Sequence, residues 1–148
     1  MAKKSTARQP RADRILDVVL GLCTERGWRD VRMDEIAQAA GASLQRVYEL
    51  YPTRPSSLVA LIAKTDKAVL AGHDFADSGE PSRERLLDVL MRRFEALSKN
   101  KAAIRSIVLD LGRDPMTAVC SLPAFVNSMA WSLETAGIRV VGPLGILK

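Results

Sequence analysis

Residues 33–51 read MDEIAQAAGASLQRVYELY, and Gly41 near their centre constrains the fold more than any other position. Before it, Met33, Ile36, Ala37 and Ala40 recur at helical spacing. Asp34 and Glu35 suit the positive N-terminal end of that helix. Ala37, Ala39 and Ala40 are small enough for a second helix to cross closely. Gly41 supplies the left-handed backbone of a tight turn, which a side chain would strain. Ser43 can restart the chain as a helix by accepting a backbone N–H bond, and Pro52 stops it after Tyr51. Helix, short glycine turn and second helix together make a helix-turn-helix unit, whose second helix enters the DNA major groove.

The remaining pattern is helical throughout. Ile15, Val18, Val19, Leu22 and Cys23 mark a preceding helix that Gly27 ends. Thr53 caps a fourth helix, with Pro55 in its first turn and Leu58, Leu61, Ile62 and Val69 as its stripe. GHDFADSGEPS, residues 72–82, is a linker with His73 exposed in it. Leu86 to Leu97 and Ile104 to Leu111 give a fifth and a sixth helix. Met116 to Thr135 gives a seventh, kinked at Pro123 and ended by Gly137. GPLGILK is an eighth helix or a tail. With no β-alternation and no repeat, the fold class is all-α.

Charge and chemistry narrow the function. Residues 1–14 carry Lys3, Lys4, Arg8, Arg11 and Arg14 against Asp13, which supplies most of the net +5. Residues 1–13 are therefore a basic flexible arm, suited to phosphates. No apolar run reaches the ~20 residues of a bilayer span, and no signal-peptide segment is present, so a cytoplasmic protein is expected. Cys23 and Cys120 lie far apart among apolar residues and are expected as buried thiols. A catalytic triad, a phosphate loop and metal-ligand spacing are all missing, so no enzyme, metal or cofactor is expected.

Within residues 43–51, Val47, Leu50 and Tyr51 share a side that would pin the helix to the first and fourth helices. Leu44, Gln45, Arg46, Tyr48 and Glu49 face outward. Arg46 suits a bidentate contact to guanine, Gln45 to adenine, and Leu44 a thymine methyl. Tyr48 can donate its hydroxyl to a phosphate.

From Arg14 to Ile62 the chain resembles the DNA-binding head of the tetracycline-repressor (TetR-type) family. The likeness rests on the Gly27-Trp28 helix ending, the IAxxAGxS pattern from Ile36 to Ser43, Tyr48, Tyr51, and the PxRxxxL entry to the fourth helix. It implies a helix-turn-helix domain over residues 14–56. Phosphate contacts would come from Ser43, Tyr48, Thr53 and Arg54, and base contacts from Leu44, Gln45 and Arg46. Leu44, Gln45 and Leu50 differ from the lysine, glycine and histidine common there, so relatives do not predict the operator.

The resemblance further implies that residues 57–148 form a helical body binding a small effector and making a homodimer. MRRFEALSKNKAAIRSIVLDLGRDP and AWSLETAGI are similar to one subset of the family. Family bodies usually have two more long helices in the dimer interface, and this chain stops at Lys148 where the first would start. A C-terminally truncated body and a weakened dimer are therefore expected. Phe94, Met116, Phe125, Met129 and Trp131 line an effector pocket or form ordinary core. Arg92–Arg93 beside Glu95 is an anion site or a solvated face. The function implied is a DNA-binding repressor released by a small apolar or amphipathic effector. The alternative is a lipid- or partner-binding module on the same fold, without DNA affinity.

Overall fold

The structure is a computed structural model. It describes residues 9–71 and 79–139, with side chains from residue 12 onward. The described residues form seven α-helices and no strand. These are α1 (Gln9–Arg26), α2 (Met33–Ala40), α3 (Leu44–Leu50), α4 (Arg54–Leu70), α5 (Ser82–Ser98), α6 (Lys101–Leu111) and α7 (Pro115–Thr135). A 3-10 turn, Trp28–Asp30, links α1 to α2.

The first helix starts earlier than expected. Residues 9–13, assigned to a flexible arm, are helical. Pro10 permits this, because the first turn of a helix has no use for its missing N–H. Residues 1–8, His73 and the GPLGILK segment lie outside the described residues.

The head has a single apolar core. Ile15, Val19 and Cys23 of α1 meet Ile36 and Ala40 of α2, Val47 of α3 and Leu58 of α4. Ala103 and Ile107 of α6 close it from the body side. Trp28 is completely buried, and its backbone N–H donates to Ser106 Oγ of α6 at 3.2 Å. The Arg29 N–H donates to Asp110 Oδ2 at 3.3 Å. Gly27 makes this approach possible at a φ of 90°, where L side chains are strained. The core thus runs across the 56/57 boundary that the family resemblance implies.

α4 continues into the body and packs on α5 and α7. One polar network ties the three. Arg93 of α5 donates to Asp66 Oδ1 of α4 at 2.6 Å and to Ser128 and Ser132 Oγ of α7 at 2.7 and 2.9 Å. The Ser128 hydroxyl also donates to Asp66 Oδ1 at 2.6 Å. Arg93 is accordingly neither a solvated residue nor an open anion site, and Arg92 pairs with Asp88 at 2.9 Å. α7 runs unbroken through Pro123. It ends at Gly137, whose φ of 76° lets the Gly137 and Ile138 N–H groups donate back to Glu134 and Leu133.

One cysteine expectation is corrected. Cys23 is buried, but Cys120 is exposed. Its apolar neighbours Val119 and Leu122 are themselves exposed on α7, so the surrounding hydrophobicity is not burial.

Candidate nucleic-acid interface

α3 has seven residues, too few to be stable alone, and its presentation depends on what holds it. The turn before it is fixed by Gly41 at φ 62°, with the Ala42 N–H donating to Ala37 O at 3.0 Å. Ser43 Oγ accepts from the Arg46 N–H at 3.2 Å, the cap expected of it. Val47 is fully buried and Tyr51 nearly so. The Tyr51 hydroxyl donates to Ala12 O at 3.0 Å, tying the end of α3 to the start of α1. Thr53 caps α4 reciprocally. Its Oγ accepts from the Ser56 N–H, and its own N–H donates to Ser56 Oγ at 2.9 Å.

The outer face is the one the pattern calls for. Leu44 and Tyr48 are 42% and 48% exposed, and Gln45 and Glu49 are exposed beside them. Arg46 departs from expectation. Its guanidinium pairs with Glu49 at 2.8 Å, its side chain is only 23% exposed, and its Nε is buried without a partner. Gln45 Nε2 also donates to Glu49, at 3.4 Å. Both expected base readers are therefore held by one carboxylate.

Arg54 departs further. Its guanidinium donates to the Trp28 and Arg29 carbonyls at 3.2 and 2.6 Å and to Asp114 Oδ2 at 3.0 Å. It also lies over the Trp28 ring, 5.4 Å from the centroid. The residue expected at a phosphate instead joins the 3-10 turn to the N-cap of α7. Asp114 accepts from the Thr117 hydroxyl and N–H at 2.6 and 3.1 Å. These bonds, with Arg54 and Arg29 nearby, hold its carboxyl below the usual carboxylate range.

The chain can be placed among known proteins on this geometry. No protein-family model matches it. It is 33% identical over 76 residues to the HTH-type transcriptional repressor KstR of Mycolicibacterium smegmatis. That match takes in 46% of this chain and spans only 37% of KstR. In structure it superposes on a TetR transcriptional regulator from Rhodococcus sp. RHA1 with a TM-score of 0.59 and 22% identity. The overlap covers 98% of this chain and 78% of that one. The chain has the TetR-type fold. A TetR-family regulator from Mesorhizobium loti agrees, with a TM-score of 0.56, 16% identity, and 96% and 77% coverage.

The TetR-type body contains an apolar cavity of about 410 Å3 between α4, α5, α6 and α7. Of the five residues expected around an effector, Phe125 and Met129 line it. Phe94 and Met116 do not, and are 65% and 70% exposed. Met116 lies instead in a shallow groove with Leu44, Tyr48 and Arg54. Trp131 lies by Asp66 and Val69, away from the cavity. Helical spacing identifies apolar residues, but which face of α5 or α7 turns inward depends on packing.

Sequence reading did not assign the partners or roles of four residues at this interface and in the body. Glu49 stands three residues from Arg46, a spacing that pairs charges on one helix. Asp114 precedes Pro115 and Thr117, an N-cap arrangement visible in the chain. Arg93 and Ser121 had no local signal, since their partners and surroundings come from other helices.

Proposed function

We propose that this chain is a DNA-binding transcriptional regulator, a repressor released by a small apolar or amphipathic effector. The observation that carries this is α3. A short helix is capped by Ser43 and anchored through Val47 and Tyr51, and it leaves Leu44, Gln45 and Tyr48 at the surface. A helix so held can enter a major groove without losing its position. Ser43 and Thr53 stand at the two helix starts where backbone phosphates would approach. The effector's place is the cavity of α4–α7, within the ~300–1,000 Å3 range of small-molecule sites. A homodimer, doubling the contacts by two-fold symmetry, and a cytoplasmic location complete the proposal. No helix among the described residues is long and apolar enough to cross a membrane.

A gel-shift with DNA upstream of the protein's own gene, at two salt concentrations, tests it. A specific complex with steep salt dependence is expected. The alternative, a lipid- or partner-binding module without DNA affinity, draws on the inward engagement of Arg46 and Arg54. Absence of any complex at low salt would select that alternative.

A further inference from the structure

The cavity between α4 and α7 is not uniformly apolar. Its walls include Leu58, Ile62, Ile104, Leu111 and Met129, but also Ser121 and Arg93. Ser121 is 5% exposed, and its hydroxyl has no hydrogen-bond partner. Serine and threonine inside a helix commonly satisfy themselves on the carbonyl four residues back. Thr65 does so on Leu61 O at 2.9 Å, and Ser132 on Ser128 O at 3.0 Å. Ser121 does not. Arg93 Nε is likewise buried without a partner. Buried polar groups are nearly always paired, so two orphans on one cavity wall point to a ligand that supplies the partners.

The charge of the site decides the ligand's chemistry. Arg93 is the only ionisable residue on the wall among the described residues, and its charge is met by Asp66 at 2.6 Å. Ser128 and Ser132 accept from its two terminal nitrogens, leaving Nε as the donor without a partner. No spare positive charge remains to offset a carboxylate or phosphate, and burying an uncompensated ion among aliphatic side chains is strongly unfavourable. A neutral oxygen suits both orphans, since a hydroxyl or carbonyl can accept from Ser121 Oγ or Arg93 Nε.

We infer that the cavity selects a neutral ligand, an apolar body carrying an alcohol or ketone oxygen, with Ser121 as the specificity-determining residue. This rests on the cavity being the effector site proposed above, but its test does not use DNA. Octan-1-ol and octanoate at pH 7 serve as probes, titrated calorimetrically into the full chain. Octan-1-ol is expected to bind at least tenfold more tightly than octanoate. Ser121→Ala should weaken octan-1-ol about three- to tenfold, the worth of one neutral hydrogen bond. Ser121→Leu, which fills the cavity, should abolish binding. Thermal melts of both variants establish that they fold. Equal or tighter binding of octanoate, no binding of octan-1-ol, or no effect of Ser121→Ala in a folded protein would overturn the inference. A chain that binds octan-1-ol as described yet shifts no DNA would instead remove the regulator proposal and leave the cavity's selectivity standing.

Discussion

Arg46 and Glu49 define the chemistry of the outer face of α3. Their 2.8 Å pair is partly exposed, so it is worth only ~0.3–0.5 kcal/mol and can open when a better partner arrives. A guanine edge is such a partner, because it accepts two hydrogen bonds at once. Arg46→Ala should therefore reduce discrimination between operator and random DNA by about 1–3 kcal/mol. Glu49→Gln should do the reverse for general affinity, tightening both DNAs by releasing Arg46 and removing a negative charge. Competition gel-shifts measure both, and equal weakening of the two DNAs by Arg46→Ala would restrict Arg46 to phosphate. The two cysteines offer a residue-scale check on the fold itself. Burial pushes the Cys23 thiol up to about 11, with the Arg54 charge opposing, so the reactive thiolate is scarce at neutral pH. Iodoacetamide should label exposed Cys120 alone in the native protein and both cysteines in denaturant, as read by intact mass.

At the scale of elements, Arg54 joins α4, the 3-10 turn and α7 at one point. Removing it leaves two backbone carbonyls and Asp114 short of a partner. Arg54→Ala should therefore destabilise the fold by about 1–3 kcal/mol in denaturant titrations. Arg54→Lys should rescue little, since a single ammonium cannot replace a planar fork stacked on Trp28. An Arg54→Ala protein with unchanged stability and weakened DNA binding would return this residue to a phosphate role. The pH response of the same joint has a definite sign. Asp114 titrates lower folded than unfolded, chiefly through the Thr117 hydroxyl. Its stabilising contribution is complete above the unfolded carboxylate value, about 3.9, and is lost as pH falls through the depressed folded value. Asp114→Asn should be less stable than the parent at pH 7, and the two melting curves should converge as pH falls below 4.

At the scale of the whole molecule, α7 carries a row of exposed apolar residues. Met116, Val119, Leu122 and Phe125 are each more than half exposed, and Leu87, Met91 and Phe94 form another stripe on α5. Scattered exposed apolar residues are ordinary, but contiguous patches of several hundred Å2 are association sites. Self-association between copies of this chain is the expected outcome, and it would supply the two-fold pairing that the proposed half-site recognition requires. Sedimentation velocity should show a sedimentation coefficient rising with concentration, and Val119→Glu on α7 should suppress the rise. A compact monomer at high concentration would contradict this. Further along α7, Met129 and Leu133 are half-buried while Phe125 and Trp131 are about half exposed.

The helical class, the order of the helices and the turn at Gly41 follow from the chain alone. They depend on local chemistry: apolar residues at helical spacing, a glycine where φ is positive, and Ser43 and Thr53 where a helix begins. The resemblance of residues 14–62 to TetR-type heads rests on the same local features. Which arginine faces outward is not local. Arg54 turns inward because Trp28 and Asp114, distant in sequence, converge beside it, and Arg93 is covered because α4 and α7 close over it. The cavity is a property of four helices together. Phe94 and Phe125 are equally apolar, yet only Phe125 lines it, because helix rotation is set by packing against neighbours that the pattern does not specify.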